Sequence, residues 1–95
     1  MTAAPAAVII AAFLREKLDG GADMTGVHID SASYIATAIS NDEEVWDALR
    51  LNPNRASLAL QELAHDPKTA LELGLSFEDR GFYGNREMWN IKRTL

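Results

Sequence analysis

The stretch that decides the fold runs from Asn41 to Leu75 and reads NDEEVWDALRLNPNRASLALQELAHDPKTALELGL. It contains two Asx-Pro steps, Asn52-Pro53 and Asp66-Pro67. Proline disfavours helical dihedrals in the residue before it but suits the first helical position, and the preceding Asn or Asp can cap the new helix. The stretch therefore predicts three short helices in series, at about 42–51, 54–65 and 67–74. Ser40 with Glu43, or Asn41 with Glu44, fits a capping box at the first of them, and both pairings stay open.

Two further helices are predicted before this stretch. The first covers about 5–18, begins near Pro5 and ends at Gly20-Gly21, because glycine readily adopts a left-handed cap. Its early turns are apolar nearly all round, which is typical of a core helix or of a homodimer seam. This apolar run is shorter than the roughly 20 residues that span a bilayer, and it lacks the basic leader of a secretory signal. A second helix is predicted at about 31–40, after a glycine-containing loop in which Val27-His28-Ile29 is a candidate short strand.

After Leu75 the sequence predicts one turn starting at Ser76 and a last helix over 86–93, capped by Asn85. The predicted fold class is therefore all-α, a compact single-domain bundle of five to six short helices. A length of 95 residues fits one domain with a single modest core. The chain has no cysteine, which excludes disulfides, thiolate chemistry and cysteine-based zinc sites and makes the cytoplasm the default compartment.

Charge divides the chain into two parts, an acidic body (1–79) and a basic, aromatic C-terminal segment (80–95). The acidic body carries a net charge of −8 and the C-terminal segment one of +3, within a total of −5. An acidic body repels a phosphate backbone and favours basic partners, while a basic segment does the opposite.

The helix predicted at 42–51 carries a cluster of carboxylates around a tryptophan. We call this cluster the acidic face, and its members are Asp42, Glu43, Glu44, Trp46 and Asp47. Carboxylates in a first helical turn interact favourably with the helix dipole, so a purely structural role is one interpretation. The other is a binding surface for a basic protein, with Trp46 as its anchor, because tryptophan is enriched among residues that dominate binding energy.

The C-terminal segment is a second candidate surface, since aromatic and basic side chains alternate along it. Its candidate residues are Arg80, Phe82, Tyr83, Arg86, Trp89, Lys92 and Arg93. Aromatic rings can stack on bases while Arg and Lys neutralise phosphates, so this segment is the feature that suits a nucleic acid. The more favoured interpretation is that the segment docks on the acidic body and that nucleic acid is not the partner.

No catalytic, metal-binding or cofactor-binding motif is recognisable. His28 with Asp23 and Asp30 lacks the spacing of a metal site, and His65-Asp66 has no accompanying nucleophile signature. The sequence therefore predicts no enzyme, no metal and no cofactor. It favours a small cytoplasmic protein-binding module, an inhibitor or adaptor of the kind that phages and mobile elements encode. A nucleic-acid-binding accessory protein acting through the C-terminal segment is the alternative.

Overall fold

Five helices followed by a β-hairpin make up the part of the chain that the computed structural model describes, residues 5–94. In chain order they are α1 (Pro5–Asp19), α2 (Tyr34–Asn41), α3 (Glu43–Leu49), α4 (Pro53–Ala64), α5 (Pro67–Glu72), β1 (Leu75–Tyr83) and β2 (Arg86–Arg93). The prediction of an all-α helical bundle is therefore wrong. The fold is mixed α/β, because a two-stranded antiparallel sheet follows the helices.

The hairpin occupies the residues for which the sequence predicts a turn and a final helix. Trp89, Asn90 and Ile91 are all buried, and Trp89 and Ile91, two residues apart, lie on the same face of the strand. Asn85, predicted as a helix cap, lies instead with Gly84 in a two-residue loop, where Gly84 has a φ of 64°. A glycine at positive φ is what the tight turns of β-hairpins require.

The loop between α1 and α2 attaches to the outer edge of β2. Val27 and Trp89 exchange two backbone hydrogen bonds of 2.8 Å each, and the Ile91 N–H donates to the Met24 carbonyl at 2.9 Å. The short strand that the sequence suggests at 27–29 is a single β-bridge at Val27. The bridge nevertheless ties the loop to the hairpin, and both are therefore held against the same core.

The helix starts at the two Asx-Pro steps are confirmed. The Asn52 side chain accepts the Arg55 N–H at 2.9 Å, and the Asp66 side chain accepts the Thr69 N–H at 3.2 Å. At α3 the cap is neither Ser40 nor Asn41 but Asp42, whose carboxylate accepts the Val45 N–H at 3.0 Å. The residue after the last residue of α2 is thus the cap of α3, so these two helices meet without a loop.

The core lies where α1, α2 and α4 meet the inner face of the hairpin. Its largest fully buried side chains are Ile10, Leu14, Ile39, Leu60, Leu75 and Ile91. Helix α1 directs Ile10, Phe13 and Leu14 into this core, while Val8 stays exposed on its outer side. Burial within one chain accounts for Ile10, Ala11, Phe13 and Leu14 of α1, and the homodimer seam stays a prediction.

Candidate protein-binding surface

The acidic face lies on the outer side of α3. Val45 is the buried residue of this helix, and the side chains of Glu43, Glu44 and Asp47 are exposed. Trp46 is 41% exposed, although an indole is a large apolar group. Asp42 caps the helix, so its carboxylate has a structural role whether or not it also meets a partner.

Beside the acidic face, α1 and α3 enclose a groove of about 320 Å³ that we call the acidic groove. Its apolar floor and its carboxylate rim come from Val8, Ile9, Ala12, Phe13, Glu16, Asp42, Glu44, Val45 and Ala48. Three carboxylates thus surround a strip of aliphatic and aromatic surface. Binding interfaces commonly have this composition, with an apolar centre and a polar rim.

Arg50 caps the C-terminal end of α3, and its guanidinium lies over the ring of Trp46. Its guanidinium carbon lies 5.7 Å from the centre of the Trp46 ring, a cation–π contact. Arg50 also has a left-handed backbone, with a φ of 54°, and its N–H donates to the Trp46 carbonyl at 2.8 Å. This arrangement holds a cation against the indole beside the carboxylates of the same helix.

The residues of the C-terminal segment do not share one surface. Trp89 is buried, its ring edge-on to the His65 ring with centroids 5.3 Å apart, and its Nε1 has no hydrogen-bond partner among the described residues. Phe82 and Tyr83 are exposed near the hairpin tip. Lys92 is exposed on β2.

Three arginines of the C-terminal segment lie close to carboxylates. Arg86 Nε and Nη2 donate to the two carboxylate oxygens of Asp30 at 2.7 and 2.9 Å. Arg93 is 3.4 Å from Asp19, and Arg80 is 3.9 Å from Glu78. Asp19 is the last residue of α1 and Asp30 lies in the loop between α1 and α2, so the segment folds back onto acidic residues far away in sequence.

The Arg86–Asp30 pair affects the protonation of both groups. The hydrogen bonds from Arg86 hold the pKa of Asp30 below its ordinary value of 3.8. The same contact raises the pKa of Arg86. Asp30 is thus ionised in the folded protein at neutral pH. The ion pair also links the α1–α2 loop to the hairpin.

Asp30→Asn is expected to make the free energy of unfolding depend less on pH in the acid range. A carboxyl whose pKa is lowered by folding stabilises the protein above its unfolded-state pKa, and that stabilisation is lost as the pH falls through the folded-state pKa. The variant should therefore be less stable than the wild type at about pH 6, and the difference should shrink from about pH 5 downward. Thermal unfolding followed by circular dichroism at a series of pH values measures this difference.

Glu62→Gln is the control for the acid series, because Glu62 is exposed on α4 and makes no ion pair or side-chain hydrogen bond with residues 5–94. The stability of this variant should change with pH in the same way as that of the wild type. If Asp30→Asn also ran parallel to the wild type down to the lowest pH, Asp30 would have no part in acid sensitivity.

Two further cavities were not indicated by the sequence, and each shares residues with a candidate surface, Asp42 and Arg86 in one and Phe82 and Arg86 in the other. One, of about 460 Å³, lies between the hairpin tip and the end of α4, where Gln61, His65 and Phe82 meet. The larger, of about 650 Å³, lies between α1, α2 and the loop that joins them. Its apolar wall comes from Phe13, Met24, Val27 and Ile35, residues in separate segments with no shared local pattern.

The other residues considered for chemistry have structural contacts. Asp66 caps α5, and the ring of its neighbour His65 packs against Trp89. His28 Nδ1 donates to the Glu87 carbonyl at 2.7 Å. Within residues 5–94, no cluster of three or more His, Asp or Glu side chains is arranged to hold a metal ion. No helix among them has the length and apolar character needed to cross a membrane.

Comparison with family models, curated proteins and solved structures found no match to this chain.

Proposed function

We propose that this protein is a small, non-enzymatic cytoplasmic binding module whose acidic groove and acidic face take a basic, partly apolar segment of a larger protein. The observation that carries the proposal is the acidic groove itself, an apolar strip between α1 and α3 beside Glu16, Asp42 and Glu44. Complementary charge speeds association and selects among partners, while the apolar floor supplies area to bury. Trp46, which belongs to the acidic face but does not line the acidic groove, is the proposed anchor.

A role as inhibitor or adaptor follows from the same features. We infer this role because a small domain with a charged face can act by occupying a site on a larger partner. Nucleic-acid binding through the C-terminal segment has less support. Trp89 is in the core, and Arg86 and Arg93 already lie against Asp30 and Asp19, so fewer cations and rings are exposed for bases and phosphates.

Reversing charges on the acidic face tests the proposal. In affinity capture from a lysate of the native host, Glu44→Lys/Asp47→Lys should recover the wild-type partner at least about tenfold less, because two attractive contacts become repulsive and tenfold needs only about 1.4 kcal/mol. Quantitative mass spectrometry measures the recovery. Asp42 is left unchanged so that the helix cap is preserved.

Glu62→Lys/Glu72→Lys is the matched control, since both residues are exposed on other helices and the change in net charge is the same. This control should retain the partner. Equal recovery by the two double variants would remove the acidic face from the proposal. Failure of the wild type to enrich any protein above the bead background would contradict the binding module itself.

A further inference from the structure

The 650 Å³ cavity, which we call the main cavity, has the size of a small-molecule site. Ligand pockets commonly measure about 300–1,000 Å³ and are lined mainly by apolar side chains with a few polar groups. The main cavity fits this description, because Phe13, Met24, Val27, Ile35 and Ala38 form much of its wall. An apolar body of one aromatic ring or a short branched chain fits within it.

Most polar side chains around the main cavity are engaged within the protein. Asp23, Asp42 and Ser33 each accept a backbone N–H, from Thr25, Val45 and Ala36, respectively. Arg86 is held by Asp30. Each of these groups therefore already has a hydrogen-bond partner within the protein.

Lys17 differs from these groups. It lines the main cavity, and among residues 5–94 it forms no ion pair. Its Nζ lies 5.2 Å from the centre of the Phe13 ring, which places a positive charge directly beside the apolar wall. An anionic group on a ligand would meet this ammonium group without displacing an internal salt bridge.

The α1–α2 loop forms one wall of the main cavity, and hydrogen bonds to β2 hold this loop in place. Asn90 is buried on β2, and its Oδ1 accepts the Gly26 N–H at 2.8 Å. Together with the bonds between Val27 and Trp89, this contact holds the loop against the sheet. A wall that is already ordered reduces the entropy lost when a ligand binds.

We propose that the main cavity binds small carboxylates that carry an aromatic or branched aliphatic body. The body lies against Phe13, Met24 and Ile35, and the carboxylate lies at Lys17 Nζ. Charge complementarity with Lys17 and the volume of the cavity carry the assignment. This site does not depend on the proposed protein-binding function, because its ligand is a small carboxylate and Lys17 does not line the acidic groove, although Phe13 and Asp42 line both.

The test uses two probes of the same carbon skeleton, 4-phenylbutyrate and 4-phenylbutan-1-ol, titrated into ¹⁵N-labelled full-length protein. Amide shifts should concentrate at Phe13, Met24, Val27 and Ile35 for both probes. Lys17→Gln should weaken binding of the carboxylate about threefold, the scale of an exposed ion pair, and leave the alcohol unchanged. Lys92→Gln, a change of the same kind on β2, should affect neither probe.

Ala38→Trp fills the main cavity and should abolish the shifts, whereas Thr37→Trp, the exposed neighbour on α2, should preserve them. Ala32→Trp, at an exposed position of the cavity lining, replaces Ala38→Trp if that variant does not fold. Absence of saturable shifts up to about 10 mM probe, or binding unaffected by the filled cavity, would overturn the site. Equal affinity of Lys17→Gln and the wild type for 4-phenylbutyrate would overturn the carboxylate assignment.

Discussion

Trp89→Ala is expected to lower the free energy of unfolding by about 3–5 kcal/mol, the usual cost of truncating a buried aromatic side chain. The Trp89 side chain is 3% exposed, and its backbone forms both hydrogen bonds to Val27. Losing the indole opens a cavity beneath the hairpin, while alanine retains the backbone groups that bond to Val27. This loss is a large share of the roughly 5–15 kcal/mol that stabilises a small domain. Urea unfolding followed by far-ultraviolet circular dichroism measures it.

Tyr83→Ala is the control for Trp89→Ala, since Tyr83 belongs to the same hairpin but is 75% exposed. Its effect should stay within about 0.5 kcal/mol, as for most surface substitutions. The pair of variants separates the two aromatics that the sequence groups into one candidate surface. Similar losses for both would mean that the Trp89 side chain does not pack in the core.

Leu60→Ala is expected to cost about 2–5 kcal/mol, because the Leu60 side chain is fully buried in the core where α4 packs against α2. The surrounding side chains come from several elements and can fill the new cavity only partly. Differential scanning calorimetry should show a clear fall in the midpoint of thermal unfolding, by several degrees per kcal/mol for a domain of this size.

Leu58→Ala provides the matched control, with the same substitution in the same helix two residues away. Leu58 is 60% exposed, and alanine is the better helix former, so the midpoint should change little. A Leu58→Ala loss as large as that of Leu60→Ala would contradict the orientation of α4. The apolar surface of Leu58 would then have to be covered by something other than solvent.

The helices were predictable because their boundaries depend on neighbouring residues. A proline at the first helical position and an Asn or Asp before it act within one turn, and so α4 and α5 begin where the sequence predicts them. The exact cap of α3 was not predictable. Ser40, Asn41 and Asp42 can all cap a helix, and the choice of Asp42 follows from how far α2 continues.

The hairpin was not predictable from the same local signals. Asn85 can cap a helix or occupy a turn, and Met88, Trp89 and Ile91 fit either a short helix or a strand. What distinguishes the two is a partner, since β2 needs β1 on one edge and Val27 on the other. Val27 and Trp89 are 62 positions apart, so the pattern of neighbouring residues does not reveal that their backbones pair.

For the candidate sites, the sequence by itself determined which residues of α3 are acidic and that Glu43 and Glu44 lie near its start. Only the tertiary structure set α1 beside them to form the acidic groove, buried Trp89, paired Arg86 with Asp30 and formed the main cavity. The physical reason is the distance along the chain over which each interaction acts. Capping and helix periodicity act over a few residues, whereas burial, ion pairing and cavities depend on segments that the folded chain brings together.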